Sequence, residues 1–166
     1  VSMVQNGGVG RDSITSGAMQ DTLRGLDDDD TLTGNGGADL LIGGDARDDL
    51  FGGEGNDTLL GGSERDSLNG GEGDDILIGG TGFDVQNGGA GNDRFVWRDA
   101  ADFSTSSEVI QDYTRGEDRI VFSLIDTDPV APGDQSFVFI GTDPFSASGQ
   151  AEVRFDVPNP FASGIS

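Results

Sequence analysis

The 166 residues contain no cysteine, no histidine and no lysine, and only one tryptophan and one tyrosine. Without cysteine or histidine there is no disulfide, no thiolate or imidazole metal site, no cysteine nucleophile and no Ser-His-Asp arrangement. With so few aromatics a carboxylate pair would have little on which to hold a sugar, so catalysis by this chain is not expected. Basic residues are also scarce, nine arginines against 31 acidic residues, for a net charge of −22. Nucleic acid and anionic membrane are therefore unsuitable partners, since phosphate binding needs cationic side chains to replace counterions. No apolar run approaches the length of a membrane span. The opening residues Val1–Gln5 offer neither a basic nor an apolar leader segment, and the chain reads as a piece of something longer. Its length suits one domain, or at most a domain with a short appendage. What is plentiful is glycine, 29 residues, alongside only 33% apolar content. So acidic a chain cannot collapse on its own apolar residues, and either stays disordered or is completed by cations.

Those glycines are periodic. From Gly7 to Val96 the sequence divides without insertion into ten units of nine residues, running from GGVGRDSIT through GGEGNDTLL to GGAGNDRFV. Position six is aspartate in every unit: Asp12, Asp21, Asp30, Asp39, Asp48, Asp57, Asp66, Asp75, Asp84 and Asp93. Position eight is apolar in every unit but one, where Gln86 is either a defect or the start of a cap. Such self-similarity signals a solenoid. Each unit reads as a glycine turn followed by a short strand whose middle side chain points inward, because strand side chains alternate between faces. Two units make one coil, and only stacking of coils can build a core from single apolar contacts. The turn supplies carboxylates and uncovered carbonyls and no nitrogen or sulfur donor, which suits hard, calcium-like cations.

The repeat resembles the RTX family, whose G-G-x-G-x-D-x-U-x nonapeptide is a calcium-binding parallel β-helix repeat. The resemblance implies an all-β parallel β-roll over 7–96, after a lead-in of 1–6 and before a C-terminal β cap over 97–166. It also implies calcium ions between a turn and the next turn on the same edge, held by two position-six aspartates and by backbone carbonyls. The implied Asp pairs are 12/30, 30/48, 48/66 and 66/84 on one edge, and 21/39, 39/57, 57/75 and 75/93 on the other, eight ions at most. Carbonyl contributors carried over in the same way are Gly34, Gly36, Gly37, Gly52, Gly53, Gly55, Gly70, Gly71, Gly73, Gly88, Gly89 and Gly91.

The edges differ. Position four is Asp28, Ala46 and Glu64 on the first edge, whereas the second keeps Gly37, Gly55, Gly73 and Gly91 and departs only at Met19. If that position needs positive φ, a non-glycine residue costs roughly 1 kcal/mol, so the second edge is expected to hold the tighter sites, through Asp39, Asp57, Asp75 and Asp93. Asp21 is expected to serve a weak site, since SGAMQD lacks two of three glycines. Asp27, Asp28 and Asp29 are out of phase and read as a solvated turn. Arg11, Arg47 and Arg65, all at position five, read as charge balance. On the outward face, Leu40, Ile42, Leu60, Ile76, Ile78 and Val96 form an apolar stripe that suits an interface with the chain's own C-terminal part or an attached domain.

Beyond Val96, β-branched and aromatic residues rise, with strands read at 94–98, 108–113, 119–125, 136–140 and 151–157. The segments 108–122 and 137–155 resemble the domain that follows the β-roll in serralysin-type secreted metalloproteases, although the zinc motif of such proteins is absent here. Asp112 and Asp118 read as turn caps sooner than as further ligands. The expected role is a non-catalytic, calcium-binding module of a larger secreted bacterial protein exported by a type I system. Eight ions would bring in +16 and leave about −6, which favours folding where calcium is abundant. The alternative is a module for a polysaccharide or cell surface, like the accessory modules of mannuronan C5-epimerases or segments of calcium-dependent adhesins.

Overall fold

The computed structural model describes residues 1–98, 108–122, 138–139 and 151–154, the last two segments as backbone only. Among the described residues there is no helix. Two sheets run along a solenoid. The first holds β1 (Val4–Asn6), β3 (Thr22–Leu26), β5 (Leu40–Gly44), β7 (Thr58–Ser63), β9 (Ile76–Thr81), β11 (Arg94–Trp97) and β13 (Arg119–Phe122), in that spatial order. The second runs β2 (Ser13–Thr15), β4 (Thr31–Gly36), β6 (Asp49–Glu54), β8 (Ser67–Glu72), β10 (Val85–Ala90), β12 (Glu108–Ile110), β15 (Ala151–Arg154) and β14 (Val138–Phe139). All pairs within the repeats are parallel, and each residue lies beside the one 18 positions on, as Leu41 beside Leu59. The described repeats thus form the parallel β-roll that the resemblance implies.

The strands exceed the three residues expected because the first turn positions also join the ladders: Gly53 pairs with Gly71 and Gly44 with Gly62. The lead-in expected over 1–6 is itself part of the roll, since Val4–Asn6 pairs with Thr22–Arg24.

Position eight builds the core. One ladder runs Leu23, Leu41, Leu59, Leu77, Phe95 and Ile120, and the other Ile14, Leu32, Leu50, Leu68, Gln86 and Ile110. The leucines are fully buried, each stabilising the fold by about 1.5–3 kcal/mol. Parallel ladders at a strand spacing of about 4.8 Å put like residues in contact, so one leucine per unit suffices. Gln86 is the start of the cap: its Nε2 donates to Oε2 of the buried Glu108, 2.8 Å away, on the strand that adds the next coil. Trp97, Tyr113 and Ile120 close that end of the core.

Each of the five segments read as strands after residue 93 holds one, Arg94–Trp97, Glu108–Ile110, Arg119–Phe122, Val138–Phe139 and Ala151–Arg154; the readings at 123–125, 136–137, 140 and 155–157 lie outside the described residues. Strands β12 and β13 continue the parallel sheets, after which β15 and β14 add antiparallel. In the outer stripe, Ile42, Leu60 and Ile78 lie in one row of the first sheet, and Leu40 and Ile76 flank Thr58 in the next. These residues are half-buried by their row neighbours, and Ile78 is only 9% exposed.

Candidate metal centre

Each position-six aspartate stands where a turn enters a strand, and its backbone is spent on the coil stack. Its carbonyl accepts from the position-seven N–H of the next coil, as Asp39 does from Thr58 (2.9 Å) and Asp57 from Ile76 (2.9 Å). Its N–H donates to Oδ1 of the next aspartate on the edge: Asp39 to Asp57 (2.7 Å), Asp57 to Asp75 (2.7 Å), Asp30 to Asp48 (2.8 Å) and Asp48 to Asp66 (2.9 Å). The aspartates therefore form two carboxylate ladders, one per edge, in the pairs that the resemblance implies.

Only Oδ2 is left over. In Asp30, Asp39, Asp48, Asp57, Asp66, Asp75 and Asp93 this oxygen is buried and receives no hydrogen bond, an arrangement that costs about 1–3 kcal/mol per polar group and more for a charge. The oxygen points into a gap that glycine leaves open. A Cβ on Gly34 would stand 2.5 Å from Oδ2 of Asp39 and 2.6 Å from the carbonyl oxygen of Gly52, one coil on. Gly25, Gly43, Gly52, Gly61 and Gly70 repeat the arrangement, each facing its own unit's aspartate and the carbonyl of the glycine 18 residues on. Each gap thus brings together a carboxylate oxygen and a carbonyl oxygen, neither a donor, in a space that a methyl group would fill. The donor set is all oxygen, as calcium requires, and the residues fit that ion.

Burial sets the carboxyls' acidity. It pushes Asp48 up to about 7, Asp57 to about 6, Asp66 to about 8, Asp75 to about 7 and Asp93 to about 6, against the backbone N–H bonds and with help from carboxylates on neighbouring coils. Asp30 and Asp39 are raised too, again by burial first. A cation is the natural occupant of sites where negative charge is this costly.

The glycines expected as carbonyl contributors divide by role. Gly34, Gly52, Gly70 and Gly88 line the gaps, whereas Gly37, Gly53, Gly55, Gly71, Gly73, Gly89 and Gly91 hold positive φ and shape the turn. Gly36 does neither, lying beside Glu54 in the ladder. The reading missed Gly25, Gly43, Gly61 and Gly79, which line the first edge equally and occupy the same repeat position. It also missed that position two takes positive φ from the third unit on, including at Leu26 (96°) and Asn35 (69°).

Position four does adopt positive φ: 118–140° at Gly37, Gly55, Gly73 and Gly91, but 71° at Asp28 and 78° at Ala46 and Glu64. The first edge therefore carries the strain. Ala46→Gly is expected to stabilise the roll by about 1 kcal/mol, read as a higher melting temperature at fixed calcium and a calcium midpoint lowered about fivefold. An unchanged midpoint would mean that the strain is absorbed elsewhere.

Asp12 and Asp21, in the first coil, differ from the seven named above: their Oδ2 atoms accept from Gly8 N (2.7 Å) and Gly17 N (3.3 Å). Asp118 continues the second edge one coil further, taking Asp93 N on Oδ1 (2.9 Å) and Thr114 N on Oδ2 (2.6 Å), and Asp112 takes the N–H groups of Gly88 and Gly89. Both act as turn caps. Asp27 and Asp28 are exposed, as a solvated turn requires. Asp29 instead accepts from Arg11 (2.6 Å) and from Arg47 N (3.3 Å), and the guanidinium holds it below the usual carboxylate range. Arg65 stacks over the Phe83 ring at 5.2 Å. Arg11 thus balances a carboxylate as expected, whereas the contact of Arg65 is with an aromatic ring.

A family model described as the RTX calcium-binding nonapeptide repeat (4 copies) matches residues 15–50, 51–86 and 70–96. No curated protein and no solved structure gives a significant match. The family match ends at Val96, so the likeness of the C-terminal part to serralysin-type proteins remains a resemblance. Ten aspartates in phase, two oxygen-lined edges and this match identify the roll of the chain as a member of the RTX calcium-binding nonapeptide repeat family.

Proposed function

We propose that this chain is a calcium-responsive folding module of a larger secreted protein, exported unfolded by a type I system and folded by calcium outside the cell. The observation that carries the reading is the column of buried, donor-less Oδ2 atoms along each edge. Deprotonated and without cations they oppose stacking, and the net charge of −22 keeps the chain expanded. At external, millimolar calcium, ions that bind only the stacked coils stabilise them by mass action. On this reading the chemistry is ligand binding, and any catalytic or adhesive activity belongs to attached domains.

Far-UV circular dichroism during a calcium titration from chelator to about 10 mM, with magnesium as control, tests it. A cooperative gain of β signal with calcium alone is expected, because magnesium holds its waters and demands an octahedral site. A chain fully folded in chelator at pH 8 would remove the basis for an export switch.

A further inference from the structure

One turn departs from the pattern in a way that bears on how many ions the roll takes. Position one is glycine in nine of the ten units, and the exception is Ser16, in the second unit. Elsewhere this position leaves the gap between a carboxylate oxygen and the next coil's carbonyl. In the second unit a side chain occupies it. Ser16 is buried, and its Oγ donates to the carbonyl oxygen of Gly34 at 2.7 Å. By register, Gly34 O corresponds to Gly52 O, which faces the open gap one coil further on.

The other contacts of this turn pair follow suit. Oδ2 of Asp21 is turned to Gly17 N of its own turn. From the facing turn, Asn35 Nδ2 donates to the carbonyl oxygen of Ser16 at 2.6 Å. Asn35 holds φ at 69° to do so, a conformation that asparagine tolerates better than most non-glycine residues. Main-chain bonds from Ser16 N to Thr33 O (2.9 Å) and from Gly36 N to Gly17 O (3.1 Å) complete the contact. A side-chain hydroxyl and a side-chain amide therefore bond two carbonyl oxygens of this turn pair, whereas glycine at position one supplies no such hydroxyl further along the edge.

We propose that the contact between turns 16–21 and 34–39 is a cation-free latch, so that the 21/39 pair binds no ion and the second edge takes three ions, not four. The first coil on that edge is joined to the second by hydrogen bonds alone. The proposal rests on the calcium reading above and concerns which pairs are used. It goes further than the expectation of a weak site at Asp21, adding Ser16 in the gap to the loss of turn glycines.

The test counts calcium ions per chain, by calorimetry and native mass spectrometry of the full chain stripped with chelator and reloaded. Asp21→Asn, which keeps the Oδ1 acceptor for Met3 N, is expected to bind as many ions as the wild type. Asp57→Asn, altering a carboxylate shared by two pairs, is expected to lose at least one. Ser16→Gly with Met19→Gly writes the consensus turn GGAGQD into the second unit and is expected to gain one ion, whereas Ser16→Ala, which still fills the gap, leaves the count unchanged. An ion lost in Asp21→Asn, or none gained in the double glycine variant, would overturn the latch. A wild-type chain that takes up no calcium would instead overturn the reading on which it rests.

Discussion

In chelator the roll is expected to gain β structure as the pH is lowered from 8 to 5 and to lose it as the pH is raised again. The cause is the set of raised carboxyls: about 8 at Asp66, about 7 at Asp48 and Asp75, and about 6 at Asp57 and Asp93, against 3.8 for the ordinary group. Between the ordinary and the raised values the stacked state holds protons that the unfolded chain has already released. Its stability therefore falls as pH rises through this window. The contribution is fully present below about pH 4 and lost by about pH 8. Protons here do crudely what calcium does well, neutralising an oxygen that has no donor. Since both compete for the same oxygens, the calcium midpoint is expected to rise as pH falls from 8 to 6. Circular dichroism at stepped pH, with and without calcium, reads both effects. Melting of the chelated chain on acidification within this range would show that the buried carboxylates are not what opposes folding.

Gly52→Ala is expected to cost one calcium ion and to lower the melting temperature sharply, even in saturating calcium. Gly52 does not have positive φ, so alanine there meets no backbone strain, unlike alanine at Gly55, whose φ is 122°. The damage is local. The new methyl would collide with Oδ2 of Asp57 and stand 2.5 Å from the carbonyl oxygen of Gly70, the two oxygens that face the gap. Overpacking of this kind costs about 1–3 kcal/mol, and the stabilisation from the excluded ion is lost as well. Serine in the same repeat position is tolerated at Ser16 because its hydroxyl finds a carbonyl and the local aspartate has turned to a backbone N–H. Alanine has no such compensation. A variant that melts lower yet binds the full number of ions would place the ion elsewhere in the turn.

Much of this was legible in the sequence because the repeat is strict. Ten aspartates at one position and an apolar residue two positions later pointed to an 18-residue coil with one inward residue per unit, and the resemblance to the RTX repeat added parallel strands and two carboxylate edges. Position four announced its positive φ through its glycines. The departures were harder to read, because a residue that breaks a pattern does not say what it meets. Gln86 is explained only by Glu108, 22 residues on, and Ser16 only by the Gly34 carbonyl. The C-terminal strands were found but not their direction, for the switch from parallel to antiparallel follows no period.

The sequence by itself determined the period, the inward positions of the core and which aspartates recur in phase, because each follows from repetition at fixed spacing. The tertiary structure alone decided which oxygens remain without a donor. That depends on whether a backbone N–H of the same turn, or a side chain entering the gap, reaches each carboxylate or carbonyl first, and this contest is settled by turn conformation and stacking distance.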